Sequence, residues 1–409
     1  MPLTLPRTPL RPAVVALAVV ALLAPGCATI KRPAVTQEAL AAGAGTARIE
    51  HRHLVDGLVE ALVRRAERRG DHTLDVLYLS GGGQHGAYGV GFMRGWKGRS
   101  DAPMPAFDLV TGVSTGALQS PLALLGTDAA LDTLDMMYGR TALDGAPTID
   151  ATFWIRRTGG VLDVTKFRSM IERTTNRDLI ENLAPLFAED RRLVVATTDL
   201  DLGMGRLWDV YHELAASPAG LTRFRDLLQA SSAIPGAFPP VLLDGRVHAD
   251  GGNMSNLAMA LDEPALRDLA ARLRARGLAT AAAPVTLRLW AIVNVWTHPA
   301  PHAIKPSSPK EVESRGRWLM FYGQQIQGIA HLAQLARAVT ATEPGLAIEF
   351  HATSVPADLA GEPGAQALID ENWMERLKKV GEARARGGRP WDDPADPYER
   401  PLPVETGEK

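Results

Sequence analysis

Along the chain, apolar residues alternate between helical stripes and short continuous runs. Between residues 47 and 70, Leu54, Leu58, Leu62 and Val63 recur near helical spacing, and Arg64, Arg65, Arg68 and Arg69 gather at the C-terminal end, so the segment reads as a helix. Leu74-Asp75-Val76-Leu77-Tyr78-Leu79 is a short apolar run leading into three glycines, which reads as a buried strand. A helix is predicted over 86–96, a second strand over 107–111 and a second helix over 116–125. Further strands are expected at 192–197, 285–295 and 346–353, and helices at 221–230, 256–276, 312–341 and 370–386. Strands alternating with helices predict an α/β fold: a three-layer sandwich with a central, mainly parallel sheet behind a helical N-terminal segment.

The two ends read differently. Arg7 and Arg11 precede an apolar run over 12–25, followed by Gly26-Cys27-Ala28, the layout of a secretory signal and too short to span a bilayer comfortably. Cys27 is the sole cysteine, so no intramolecular disulfide can form. A lone cysteine directly after such a run resembles the lipobox of bacterial lipoproteins, although Pro25 stands where that pattern favours a small residue. Ala28, where an Asp would resemble an inner-membrane retention signal, makes the expectation an exported, outer-membrane lipoprotein of a Gram-negative bacterium; a plain signal peptide or an uncleaved anchor is the alternative. The expected organisation is a signal peptide over 1–26, a lipidated tether and helix over 27–70, one hydrolase domain over 71–389, and a proline-rich tail over 390–409 that is extended or disordered.

Composition narrows the classes of function. With 409 residues, 46% of them hydrophobic and 22% charged, the chain can bury a large core. A net charge of -2 gives no electrostatic case for a nucleic-acid partner. The ten histidines form no H-E-x-x-H motif and have no cysteine cluster beside them, so no metal or cofactor is expected.

Three signals carry chemistry. Gly112-Val113-Ser114-Thr115-Gly116 follows a predicted strand and precedes a predicted helix. In such a G-x-S-x-G turn the glycines admit a cramped backbone and the serine hydroxyl projects from the sheet edge; a tight turn with an incidental serine is the plainer alternative. Gly81-Gly82-Gly83-Gln84-His85-Gly86 also joins strand to helix, and its unobstructed N–H groups suit an oxyanion. The same letters fit a dinucleotide loop, but that needs an acidic residue at the far end of the next strand, whereas Asp108 is at its beginning and the strand runs into Ser114. Asp250-Gly251-Gly252 is the third signal, and by itself is also ideal composition for a plain turn.

Taken in this order, the three motifs resemble those of patatin-like phospholipases, which carry G-G-G-x-R/K-G, G-x-S-x-G and D-G-G/A. The likeness extends through the stretches 191–200 and 230–240, and runs from about Leu74 to Asn256. It implies that Ser114 is a nucleophile, Asp250 its partner in a dyad, and Gly82, Gly83 and Gln84 the oxyanion donors, with phospholipid or another lipid ester as substrate and a membrane reached through the lipid anchor. His85 departs from the pattern, standing where the family has Arg or Lys, and leaves the role of that cation open. A carboxylate with a pKa of about 4 is a weak base, but burial strengthens it.

Two other readings stay open: an α/β-hydrolase with a Ser-His-Asp/Glu triad, drawing on His248, His298, His302, His331 or His351, and a silent lipoprotein that binds a lipid or partner in the same cleft. Trp154 and Ile155, within the stretch 139–175, suggest a lipid-entry surface or, more plainly, an ordinarily packed insert. Arg191, Arg192 and Asp199 read as surface charges at strand ends, and Trp290 and Trp296 as core.

Overall fold

The computed structural model describes residues 32–297 and 303–392. The signal-like segment, Cys27, His298, His302 and most of the proline-rich tail lie outside the described residues.

The strands are β1 (Thr73–Leu79), β2 (Leu109–Gly112), β3 (Thr148–Ile149), β4 (Leu162–Asp163), β5 (Arg192–Asp199), β6 (Met204–Asp209), β7 (Val241–Leu243), β8 (Arg246–Asp250), β9 (Val285–Val293) and β10 (Leu346–Ser354). The helices are α1 (Gln37–Arg69), α2 (Gly86–Lys97), α3 (Thr115–Leu125), α4 (Asp128–Met137), α5 (Phe153–Arg156), α6 (Thr165–Thr174), α7 (Arg177–Ala188), α8 (Val210–Ala215), α9 (Gly220–Ser231), α10 (Glu263–Ala275), α11 (Pro309–Thr342) and α12 (Glu371–Arg386). One sheet runs β10-β9-β1-β2-β5-β8-β7, with β6 on the other edge of β5, and β3 pairs separately with β4. The ladders from β10 to β5 are parallel and those among β5, β6, β7 and β8 antiparallel, so the sheet is mainly parallel, with helices on both sides. β1, β2 and β5 are buried almost throughout, as expected of strands covered on both faces.

Several boundaries differ from the sequence reading, each for a local reason. The supposed tether is helical from Gln37: the Thr36 hydroxyl caps the Ala39 N–H at 3.2 Å, and the alanine-rich stretch behind it has high helix propensity. At its other end Gly70 adopts φ 62° and closes the helix. α10 starts at Glu263 rather than 256, because Asp262 caps it and Pro264 fits only the first turn; residues 256–262 are left as a loop. Of the proline-rich segment, Trp391 packs among Phe92, Trp96 and Trp290, and the Asp392 N–H bonds to the Ala352 carbonyl at 2.7 Å.

Arg191, Arg192 and Asp199 are not surface charges but buried groups. Arg191 donates to the carbonyls of Phe107 and Leu124, and Asp199 accepts from Arg246. Trp290 and Trp296 are core residues, as read.

At the end of β1 remote from the glycine loop lies a second buried charge cluster. Asp75 and Asp108 have no solvent exposure. Asp108 accepts from Arg65 at 2.9 Å, Arg69 at 2.7 Å and the Asp75 N–H at 2.8 Å; Asp75 accepts from Arg69, Arg288 and the Trp290 indole. The arginines of α1 thus fasten that helix to the sheet. Removing one partner strands the other buried charge, so Asp108→Ala should cost about 3 kcal/mol. Urea unfolding checks this; a loss under about 1 kcal/mol would show the cluster to be energetically idle.

Candidate active site

Strand register assembles the site. β1 and β2 are parallel neighbours with Leu79 opposite Gly112, so their strand-to-helix turns, 80–85 and 113–114, leave the same sheet edge side by side. β6 occupies one edge of β5 over 194–199, so β2 and β8 must share the other. β2 ends at Gly112 opposite Val195, and β8 ends at Asp250 opposite Thr197. Only Ala196 separates the two pairings, and Ser114 and Asp250 converge there from opposite directions.

The backbone at these turns is compressed. Ser114 has φ 54° and ψ -122°, a conformation that costs a non-glycine residue on the order of 1–3 kcal/mol. Its N–H is held by the buried Ser231 hydroxyl at 2.9 Å. A Cβ on Gly116 would stand 2.2 Å from the Leu79 carbonyl oxygen, and one on Gly81 would stand 3.0 Å from the Ser114 Cβ. Side chains at either position would drive the two turns apart.

Ser114 and Asp250 are each 7% exposed. The Asp250 carboxylate accepts the Gly252 N–H at 2.8 Å and lies beside the Ser114 hydroxyl. Burial dominates and pushes the carboxyl up to about 6, with the Ser114 hydroxyl and the Gly252 N–H opposing the rise. His248, two residues earlier, is fully buried and bonds to Thr197 Oγ1 at 3.0 Å, with its other nitrogen 3.6 Å from Asp199. Burial pushes its imidazole down to about 4, so it is neutral at pH 7. His331 is exposed on α11, and His351 stacks on Trp290 at 4.3 Å. Among the described residues, Ser114 and Gly252 are the neighbours that act on the Asp250 carboxyl, and no histidine hydrogen-bonds to it.

The glycine loop divides its tasks. Gly83 and Gln84 line the same cavity as Ser114. As the first residues of a short 3₁₀ turn, they carry N–H groups with no partner within that turn. Gly82 does not line the cavity. A Cβ there would lie 1.9 Å from the Asn294 carbonyl oxygen, so it is the point of closest approach to the end of β9. The Gln84 side chain turns away, donating to the carbonyls of Gly364 and Ala367 at 2.8 and 2.7 Å and accepting the Asp370 N–H at 2.6 Å. His85 reaches from the Gly82 carbonyl, 2.8 Å from Nδ1, to the Ala365 carbonyl, 3.1 Å from Nε2, and packs edge-on against Trp296. It therefore ties the glycine loop to the 361–370 segment.

Sequence reading missed the amides beneath this loop. Asn294 bonds to Ser80, the Gly89 N–H and Gln119; Gln119 holds the Gly86 carbonyl; Asn256 reaches Gly81 and, at 2.5 Å, Gln325. None sits in a motif, and only their burial in the fold distinguishes them. Ser232 was also missed: its hydroxyl is buried on the cavity wall with no hydrogen-bond partner among the described residues. The cavity, about 120 Å³, is otherwise walled by apolar side chains including Leu118, Met137, Phe167, Met170, Phe238 and Met374. Among the described residues no group of three or more His, Cys, Asp or Glu could hold a metal ion.

Residues 77–261 match the family described as Patatin-like phospholipase. The chain carries a patatin-like phospholipase domain. All three motifs fall inside the matched span of that domain, whereas β9, β10, α11 and α12 lie beyond it. Among solved structures, a crystal structure of VipD from Legionella pneumophila is similar at 13% identity and a TM-score of 0.33, over 76% of this chain and 66% of that one. No curated protein matches the chain.

The raised Asp250 carboxyl has a consequence for stability. The unfolded chain releases this proton near 3.8 and the folded chain near 6, so the group's contribution is full below 3.8 and is lost as pH rises through 6. Asp250→Asn, which stays neutral, should therefore gain about 3 kcal/mol relative to the wild type between pH 3.5 and pH 8. Urea midpoints of both proteins at the two pH values test this; a pH-independent difference would mean the carboxyl is not raised.

Proposed function

We propose that the protein is a lipid acyl hydrolase working through an acyl-serine intermediate, with Ser114 as nucleophile and Asp250 as its base. The observation that carries this reading is the placement of the Ser114 hydroxyl beside the buried Asp250 carboxyl at an apolar cavity. As Ser114 Oγ attacks an ester carbonyl, its proton passes to Asp250 and negative charge develops on the carbonyl oxygen. The N–H groups of Gly83 and Gln84 answer that charge, with Gly82 keeping the loop pressed to the sheet. Collapse of the tetrahedral adduct returns the proton from Asp250 to the leaving alcohol. Water, deprotonated by the same carboxylate, then frees the fatty acid and restores the serine.

The apolar walls suit an acyl chain, and a phospholipid or lysophospholipid is the substrate class in keeping with the domain family. His248, neutral and bonded through Nδ1 to Thr197 rather than to Ser114 or Asp250, supports a two-residue machinery over a triad.

Ser114→Ala should abolish ester hydrolysis without loss of fold, and a fluorophosphonate should label the wild type at Ser114 alone. Because the base must be ionised, kcat/KM should fall as pH drops through about 6, and Asp250→Asn should remove activity at every pH. Labelling of another serine, or a flat profile between pH 5 and 8, would refute the pair.

The sequence around Cys27 supports a lipoprotein carried to the outer membrane of a Gram-negative bacterium. Cys27→Ser should remove an acyl mass increment and release the protein from the outer-membrane fraction. A wild type without added mass at Cys27 would reduce the segment to a signal peptide.

A further inference from the structure

Large apolar side chains are exposed on several chain segments that adjoin the cavity. Ile234 and Leu368 belong to both surface and cavity: they line it beside Ser114 and are 41% and 48% exposed, which puts them at its mouth. The 148–162 insert is fastened to the Ile234 segment by the Val161 N–H to the Gly236 carbonyl at 3.2 Å and the Leu162 N–H to the Ala237 carbonyl at 2.9 Å. It holds out Ile149, 79% exposed, and Trp154, 66% exposed, so Trp154 is not packed as an ordinary insert would be. Met254, four residues beyond Asp250, is also exposed, and its carbonyl accepts from Gln324 of α11 at 2.7 Å. The preceding turns of α11 expose Trp318 and Met320, the latter 70%. Trp318 stacks on Tyr322, whose hydroxyl bonds to Trp296, which in turn packs on His85 of the glycine loop.

We infer that this rim docks the protein on the surface of a lipid leaflet and delivers the acyl chain from it directly into the cavity. The inference rests on the acyl-hydrolase reading of Ser114. Two features favour lipid over protein as the occupant. The exposed apolar side chains come from separate segments rather than from one element, and a fluid leaflet demands only apolar side chains with tryptophan at the polar boundary. A protein seated over Ile234 and Leu368 would also cover the cavity mouth, whereas a leaflet supplies what the cavity takes.

The test uses the full chain carrying Cys27→Ser, so that no acyl group on that residue contributes, with and without Trp154→Ser plus Met320→Ser. Binding is measured by flotation with vesicles of non-hydrolysable dialkyl-ether phosphatidylcholine, and catalysis with monomeric p-nitrophenyl butyrate. The double variant should bind vesicles at least about tenfold more weakly while hydrolysing the monomeric ester within about twofold of its parent. Ile149→Ser repeats the comparison on a separate part of the rim should the double variant misfold. Unchanged vesicle affinity would overturn the inference. So would failure of the parent to bind vesicles while hydrolysing the ester, and the rim would then belong to a protein contact. Weakened vesicle binding in a chain whose parent cannot hydrolyse the ester would uphold the docking surface and refute the catalytic reading instead.

Discussion

Everything at the candidate site depends on two backbone turns pressed together without side chains between them. A Cβ on Gly81 would meet the Cβ of Ser114, and one on Gly116 would overlap the Leu79 carbonyl. Parallel pairing of β1 and β2 imposes this proximity, because two strands in register that both turn into helices deliver those turns to the same edge. The strained conformation of Ser114 is tolerated because the surroundings over-determine it: Ser231 holds its N–H, and the Val113 and Ser114 carbonyls are already engaged by the start of α3.

The carboxylate arrives by a different device. β8 is antiparallel to β5 and takes over the β5 edge where β2 stops, so a parallel sheet of doubly wound type acquires a strand ending head-on against the serine turn. Burial at that junction excludes water from Asp250 and raises its affinity for a proton. A carboxyl raised to about 6 is still ionised at neutral pH, yet a stronger base than a solvated aspartate. The amides of Asn294, Asn256 and Gln119 hold the carbonyls of Ser80, Gly81 and Gly86, fixing the glycine loop where Gly83 and Gln84 line the cavity. Reactive edge and anchored edge are thus separated: the Asp75–Asp108 cluster fastens α1 at the other end of the strands, remote from the serine.

Much of this was legible in the chain. Buried parallel strands read as continuous apolar runs, and the 74–79 and 192–197 runs gave their strands nearly to the residue. Glycine, proline and capping residues mark turns because their effects on the backbone are local, and so the loop at 81–86, the elbow at 112–116 and the Asp-Gly-Gly turn stood out. Reading failed where local signals were overridden or unread: the alanine-rich stretch before 47 looked like a tether but is capped into helix, β6 and β8 carry Gly205, Arg206, Arg246 and His248 and so make no apolar run, and β7 is only three residues long.

Sequence by itself thus determined which residue types were available for chemistry and which turns would carry them, since both follow from local composition and backbone preference. Only the tertiary structure decided that Ser114 and Asp250, far apart in the chain, meet across Ala196, because strand register is set by pairing between distant segments. It likewise decided that Arg191, Arg192 and Asp199 are buried, and that Trp154 is exposed while Trp290 is not. A charged or aromatic residue has no intrinsic depth. Its environment is assigned by what the rest of the fold packs against it, and no window of neighbouring residues contains that information.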